Sequence, residues 1–477
     1  MEKGITKLKE NYAQWYLDVI ASADLAEHAP VKGCMIIKPY GYAIWENIQK
    51  VLNEKIKASG AKNAYFPLLI PQSFLEKEKE HVKGFAPECL TVTRVGKKNL
   101  EEPLIIRPTS ETIINEVFAK WLKSYRDLPL LVNQWANICR WELRPRLFLR
   151  TVEFLWQEGH TAHLRESEAQ AKTLEMLEIY RSFAENYLAI PVVAGLKTEA
   201  EKFPGAVRTY CIEGMMQDGK ALQAGTSHML GQNFAKVFHS QFLDEKGVKQ
   251  FPWQTSWGVS TRLIGGLIMA HSDDKGLVLP PKIAPMPVVI VPVWTDQKER
   301  QKVFARADSI SQKLQKAHGI NVEIDKREEM RVGPKFFEWE KKGVPVRIEI
   351  GPKDIAQKSV VVVRRDTGQK EQVSEEKVIS YVGKLLQEIQ DNLFQRALDF
   401  QKTHSYQTDS WEEFQHLVQK GGFIYAHWCS NPRCEKRIKE KTKATIRAVP
   451  LTQRKEKGKC VFCGAESTVR VIFAKAY

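Results

Sequence analysis

Four arginines, Arg140, Arg144, Arg146 and Arg150, crowd a short stretch with Glu142 and Glu153 among them and Phe154 just beyond. Guanidinium groups are planar forks suited to gripping phosphate or carboxylate oxygens through paired hydrogen bonds. An arginine closing one strand and an aromatic ring on the next would suit a triphosphate and a stacked base. A solvated charged hairpin would use the same residues with no ligand. A second cluster lies near the end of the chain: Cys429-x4-Cys434, 25 intervening residues, then Cys460-x2-Cys463-Gly464. That spacing is a tetrahedral zinc pattern, and four thiolates close the coordination sphere, so the metal would be structural. His427 is a possible substitute ligand. Cys34, Cys89, Cys139 and Cys211 are scattered singly and read as reduced thiols.

Single residues add to this. Arg107 and Thr109-Ser110-Glu111 stand where a short strand meets a helix, and side chains there point into clefts. Glu111 suits an ammonium group and Arg107 an anion; helix capping by Thr109 or Ser110 is the plainer alternative. His228 ends the turn Thr226-Ser227-His228, as a site donor or as a hydrogen-bonded histidine. Arg262 sits in an apolar segment where an unpaired charge is costly, so it needs an anionic partner, either a carboxylate of the chain or a ligand phosphate. Gly265 and Gly266 beside it allow close packing or close approach of a ligand.

The elements that must position these groups follow from periodicity. Apolar runs at 130–139 and 147–156 flank the arginines as two strands of a hairpin. Ile44, Ile48, Val51, Leu52 and Ile56 mark a helix that Gly60 ends. The strand 64–71 contains Pro67, which places it at an edge or an interface. Residues 104–107 form a short strand, 166–188 an amphipathic helix, and 209–213 and 220–228 further strands. Residues 279–287 are proline-rich and read as a linker. Beyond it, strands and helices alternate to residue 400 as a compact mixed domain. The chain therefore divides into 1–284, 285–400 and 401–477.

Composition sets the bounds. A chain of 477 residues exceeds one ordinary core. Its net charge of +15 points to a polyanionic partner, with solubility as the simpler account. Residues 431–459 hold eleven Lys/Arg against three Glu, which suits a nucleic-acid backbone or a solvated loop equally. No stretch is apolar enough to span a bilayer, and the charged start Met1-Glu2-Lys3-Gly4 lacks a signal core, so a cytoplasmic location is expected. Phosphate-loop, dinucleotide-glycine and nucleophile-elbow motifs are missing. A nucleotide would therefore be held on an antiparallel sheet by arginines.

Together these segments resemble the class II aminoacyl-tRNA synthetases, and within them the prolyl-tRNA synthetases of the archaeal and eukaryotic type, which some bacteria also carry. The helix–strand unit ending at Pro67 is similar to motif 1, the dimer element. Arg140-Trp141-Glu142 and Arg150-Thr151-Val152-Glu153-Phe154 resemble motif 2, and Gly258-Val259-Ser260-Thr261-Arg262 with Gly265 resembles motif 3. Pro108-Thr109-Ser110-Glu111, Trp156-Gln157-Glu158-Gly159-His160 and Thr226-Ser227-His228 resemble the prolyl-specific segments, and the linker, the mixed domain and the zinc module ending in Phe473-Ala474-Lys475-Ala476-Tyr477 are similar to the family's order.

The resemblance implies an α/β (α+β) protein: an antiparallel-sheet catalytic domain, a mixed α/β anticodon-binding domain and a small zinc-bound C-terminal module. It implies ATP, Mg2+ and structural Zn2+, with L-proline, tRNA(Pro) and a second copy of the chain as partners. Arg140 and Arg262 would be catalytic. Thr109, Glu111, Arg140, Glu158, His160 and His228 would hold proline. Arg140, Glu142, Thr151, Phe154, Gln223, Thr226, Ser260 and Arg262 would hold ATP, with Gln223 and Thr226 near its magnesium. Glu340, Arg347 and Lys353 would read the anticodon, and Cys429, Cys434, Cys460 and Cys463 would bind zinc. The sequence departs from the common bacterial type in one respect: between Leu164 and Gln223 there is room only for a helix and a short sheet segment, so no editing insertion is expected. The rivals are another synthetase of the same subclass, threonyl or glycyl, and a non-catalytic nucleic-acid-binding paralogue.

Overall fold

A computed structural model describes residues 4–81, 89–452 and 455–477. Met1, Glu2, Lys3 and Arg454, which entered the charge arguments above, lie outside the described residues.

Among the described residues, eleven strands form the main sheet. In spatial order they are Ser405–Gln407, Phe423–His427, Arg470–Ala474, Thr445–Pro450, Val192–Leu196, Arg208–Met215, Ala221–Gly231, Trp253–Ser260, Glu153–His163, Leu130–Cys139 and Lys62–Asn63. Neighbours run antiparallel except at the two ends, where the outermost strands pair in parallel. The helix Glu166–Asn186 lies across one face, burying Ala169, Thr173, Met176, Leu177, Tyr180 and Phe183 at the three- and four-residue spacing of an amphipathic helix. The other face of the central strands remains for the site.

The hairpin is present, with Cys139 opposite Glu153 and Leu130 opposite Ala162. Its second strand begins at Glu153, later than the apolar run starting at Leu147 suggests. Leu147, Phe148 and Leu149 are buried in a tight turn. Arg146 N–H donates to the Arg150 carbonyl at 2.6 Å, Leu149 N–H to the Arg146 carbonyl at 3.1 Å, and the Tyr16 hydroxyl to the Leu147 carbonyl at 2.8 Å. A loop can enter a core when its backbone polar groups are met in this way. Gly265 closes the packing, since a Cβ there would lie 2.5 Å from Leu149 Cδ2. The glycine thus serves close packing rather than ligand approach.

Three other expectations change. The segment around Pro67 splits into short strands at Lys62–Asn63 and Leu69–Pro71. Arg107, read as an anion ligand, is fully buried and donates to the carbonyls of Phe66 (2.6 Å), Pro67 (3.2 Å) and Asn137 (3.0 Å), so it fastens this irregular segment to the sheet. The proline-rich stretch is a packed seam, not a free linker: Leu277, Val278, Leu279, Ile283 and Ala284 are buried, and Leu277 and Leu279 hydrogen-bond to the Lys341 and Gly343 carbonyls.

Beyond the seam, five strands order as Val322–Ile324, Val288–Pro292, Val346–Ile350, Ser359–Arg364 and Lys370–Ser374. The first three are parallel and the rest antiparallel, which makes the mixed sheet anticipated. Helices Gln297–His318 and Val378–Thr403 supply its apolar cover. The C-terminal part has its own core around Phe414, Ile424, Ile438 and Phe473. Its strand Thr445–Pro450 nevertheless pairs with Val192–Leu196, Val449 opposite Leu196 and Pro450 opposite Gly195. The module therefore extends the main sheet.

Candidate active site

Strand alternation builds the site wall. Successive side chains of a strand face opposite sides, so Phe154, Trp156, Glu158 and His160 point one way. Gln157, pointing the other way, accepts from the Tyr180 hydroxyl of the covering helix at 2.6 Å. On the next strand Ser256, Gly258 and Ser260 line the same cavity. Trp257 faces away and fills the space over Gly159, where any Cβ would lie 2.0 Å from its ring. On the strand after that, Thr226 and His228 share the wall. Gln223 would not by simple alternation, but the register slips at Ala224: Gly225 opposes Ile212 and Gln223 opposes Glu213. This bulge turns Gln223 back to the wall.

The resulting cavity of about 560 Å3 brings together Thr109, Glu111, Arg140, Phe154, Glu158, His160, Gln223, Thr226, His228, Ser260 and Arg262. One end is acidic. Glu158 is buried and accepts from Ser110, Gln134 and His160, the last at 2.9 Å. Burial alone would raise the Glu158 pKa, but His160, Ser110 and Gln134 hold it below the usual carboxylate range. Burial would likewise lower His160, yet Glu158, with help from Glu111, raises it. Buried Glu111 accepts from the Thr109 hydroxyl beside this pair. The His228 pKa is lowered to about 3 by burial and by the positive surroundings of His160 and Arg140, so the ring is neutral.

The other end is cationic. Arg140 follows the strand Leu130–Cys139, donates to the Pro108 carbonyl at 2.9 Å and lies against the rings of Phe154 and Trp156, at 5.8 and 5.5 Å. It is exposed along the cavity, yet the enclosing walls strip enough water to lower its pKa. Arg262 opens the helix Arg262–His271 and donates to the Leu149 carbonyl at 3.3 Å. Burial first, then Arg150 and Arg140, bring its pKa down to about 10. Among the described residues neither arginine has a carboxylate within 4.0 Å, so none of their carboxylates is the partner that Arg262 needs.

Two expected residues stand off this wall. Glu142 receives Arg144 N–H at 3.3 Å and lies 3.6 Å from Arg150. Thr151 is buried with its hydroxyl on the Glu153 carbonyl at 2.6 Å. Residues not anticipated at the site include Trp156 and the loop residues Glu201, Lys202, Phe203 and Pro204. The Phe203 ring lies 4.8 Å from that of His228, and Thr209 joins them by accepting Phe203 N–H at 2.9 Å and meeting His228 Nδ1 at 3.0 Å. The only signal in the sequence was an aromatic next to Pro204-Gly205 in a polar stretch, which marks a turn and nothing about what the turn faces.

Away from this cavity, Glu340 and Arg347 line a smaller one of about 280 Å3 with Phe336 and Phe337. Arg347 stacks on Phe336 at 4.4 Å and forks onto Glu349. Lys353 is exposed on the following helix, Pro352–Ala356, and does not line it. The Sγ atoms of Cys429, Cys434, Cys460 and Cys463 lie within 4.8 Å of one another. The Cys429 and Cys463 sulfurs are 3.7 Å apart, close to the edge of about 3.8 Å expected of a tetrahedron with zinc–sulfur bonds of about 2.3 Å. His427 is outside this set, its Nδ1 3.3 Å from Ser467. Of the nearby basic run, Arg447 is buried against Glu213 at 2.9 Å and so is not available to a phosphate.

The fold and the paired acidic and cationic ends define a class II aminoacyl-tRNA synthetase core. Residues 92–271 match the family described as "tRNA synthetase class II core domain (G, H, P, S and T)", 287–385 "Anticodon binding domain", and 411–477 "Prolyl-tRNA synthetase, C-terminal". The chain is similar over its whole length to proteins named proline–tRNA ligase. It is 54% identical to that of Phocaeicola vulgatus (100% of this chain, 99% of the relative), 53% to that of Roseiflexus castenholzii (100% of both) and 52% to that of Porphyromonas gingivalis (100% and 99%). The chain belongs to the proline–tRNA ligase family.

Proposed function

We propose that this protein activates L-proline with ATP and transfers the prolyl group to the 3′ end of tRNA(Pro). The observation that carries this is one cavity with buried carboxylates at one end and two arginines short of carboxylates at the other. The carboxylates suit the ring ammonium of proline, and the arginines suit its carboxylate and the phosphates of ATP. In the first step a proline carboxylate oxygen attacks the α-phosphorus and pyrophosphate leaves. In the second the terminal ribose hydroxyl attacks the prolyl carbonyl and AMP leaves. No side-chain nucleophile is required, so catalysis is positioning plus stabilisation of charge on the transferring phosphorus.

Thr109, Glu111, Glu158, His160 and His228 hold proline, with Glu111 facing the ammonium. Arg140 bridges the proline carboxylate and the α-phosphate. Phe154 stacks one adenine face, and Arg262 covers the other and reaches the γ-phosphate. Glu142 leaves Arg150 to accept from the adenine amino group, while Thr151, Thr226 and Ser260 complete the ATP contacts. Magnesium, when bound, neutralises phosphate charge; Gln223 and Thr226 offer it neutral oxygens, consistent with an ion that keeps few protein ligands. The four cysteines hold structural zinc.

Glu340, Arg347 and Lys353 read the anticodon, with Phe336 and the 65% exposed Phe337 as stacking surfaces. The division at residues 284 and 400 is supported by an apolar core in each of the three parts, with Ala189 and Val278 joining the second and Met215 and Ala221 packing on Phe423 and Ile472 across the later boundary. The helix Pro39–Ala58 and the adjoining edge strand, with Tyr65 73% exposed nearby, support a homodimer. Among the described residues no helix is long and apolar enough to cross a membrane, which accords with a cytoplasmic enzyme. Residues 164–223 are taken up by one long helix, two strands, the first residues of a third and their connections. Clearance of mischarged tRNA therefore falls to another protein, because a single apolar site separates small residues by roughly 10–200-fold.

Amino-acid-dependent exchange of labelled pyrophosphate into ATP, across all twenty amino acids, tests the reading. Exchange with proline alone supports it. Exchange with threonine or glycine overturns the specificity, and exchange with none turns the reading to a binding paralogue.

A further inference from the structure

The loop that brings Phe203 to the cavity is anchored outside the catalytic part of the chain. It leaves the strand Val192–Leu196 at Lys197 and rejoins the sheet at Arg208. At its start, the Thr198 hydroxyl donates to Glu435 Oε1 at 2.7 Å, and the two residues are 4% and 6% exposed. Glu435 belongs to the helix Pro432–Thr442 of the C-terminal module. Beside this contact, Lys197 Nζ donates to the Arg447 carbonyl at 2.8 Å and to Glu213 at 2.7 Å. Further along, Lys439 pairs with Glu201 at 3.4 Å. The loop thus rests on the module at one end and on His228 and Thr209 at the other.

We propose that Glu435 is a positioning residue: through Thr198 it sets where Phe203 closes over the amino-acid end of the cavity. The C-terminal module would then tune affinity for proline without touching it. This rests on the reading of that end as the proline site. A loop freed at its root samples more conformations, and binding must re-order it, which weakens binding of the ligand that the loop covers. The ATP end is built from strands, the start of a helix and the separate loop 140–152, all outside the segment rooted at Thr198, so it does not share that cost.

Pyrophosphate exchange on the full-length, zinc-loaded chain tests this, read together with amide hydrogen exchange over residues 198–206. Thr198→Val should raise KM for proline about five- to tenfold, the worth of one buried hydrogen bond, and leave KM for ATP and kcat within about twofold. The loop amides should exchange faster. Thr198→Ser keeps the donor and Glu435→Gln keeps an acceptor, so both should stay near the wild type. Thr198 is remote in sequence from the cysteines, so its variants read the contact without disturbing the metal site directly. An unchanged KM for proline in Thr198→Val overturns the proposal. So does a common loss that raises KM for ATP equally and lowers kcat, which is what general destabilisation would give. A wild-type chain that activates no proline would instead overturn the functional reading beneath it.

Discussion

Arg140 and Arg262 meet carbonyl oxygens, and Arg140 two aromatic rings as well, whereas Arg447 and Arg470 of the C-terminal module meet carboxylates. Arg447 forks onto Glu213, and Arg470 onto Glu456 and Asp409. The proton affinities respond in opposite directions. Burial lowers Arg140 and brings Arg262 to about 10. Burial would lower Arg447 as well, but Glu213 more than reverses it; Glu456 first, and then Asp409, raise Arg470. One residue type therefore does two jobs, and its name does not say which. An arginine in a concave wall without a carboxylate is electrostatically incomplete, and an anionic ligand completes it. An arginine already matched by a carboxylate holds strands and turns together.

Four experiments press on this contrast. Replacing Arg140 should have the largest effect: Arg140→Ala lowers kcat for pyrophosphate exchange by roughly a thousandfold, as loss of a charge-stabilising donor does elsewhere, while the unfolding midpoint stays near that of the wild type. Preserved exchange with a lowered midpoint would place Arg140 among the structural arginines. Arg347 stands between the two groups, since it is matched to Glu349 and yet lines a cavity. Arg347→Ala should raise KM for tRNA in the charging step about tenfold and leave pyrophosphate exchange unaltered; a fall in both steps together would break the assignment.

Arg470→Ala should lower stability to urea by about 1–2 kcal/mol, discounted because Asp409 and Glu456 are 65% and 48% exposed. Exchange per folded molecule should be intact.

The finest test is titration of His228. Its folded pKa of about 3 lies below the unfolded value, so below pH ~6.5 the unfolded chain takes up a proton that the fold refuses. Its contribution to stability is thus present above that pH and drains away as pH falls toward the folded value. His228→Gln should ease the acid limb by about 1.4 kcal/mol per pH unit. Because Arg140 is one cause of the shift, His228 in Arg140→Ala should titrate higher by NMR; an unmoved resonance would mean that Arg140 is not felt there.

The legible parts were those where one local pattern decides the outcome. The strand Leu130–Cys139 and the helix Glu166–Asn186 follow from apolar runs and helical spacing. Zinc-type spacing anticipated the cysteine cluster. Where tertiary packing decides, the local pattern is misleading. Leu147–Leu149 look like strand but are a turn that Tyr16 and Gly265 admit to the core. Residues 279–287 look like a linker because prolines look alike in a linker and in a buried seam. The slip at Ala224 leaves no mark in the sequence, yet without it Gln223 would face the covering helix. Arg107 reads like Arg140, and only the carbonyls of Phe66, Pro67 and Asn137 tell them apart.

The order of the main sheet carries a further consequence. Its longest strands, of ten and eleven residues, lie inside it, and its two borders are strands of only two and three residues, Lys62–Asn63 and Ser405–Gln407. A border that short offers few unpaired backbone groups to template the addition of a foreign chain. A truncation before residue 401 would uncover one end of Val192–Leu196, where Pro450 and Val449 now pair with Gly195 and Leu196. The shortened protein would then present that edge, together with Met215 and Ala221 stripped of Phe423 and Ile472, to its own copies and should self-associate more readily than the full chain.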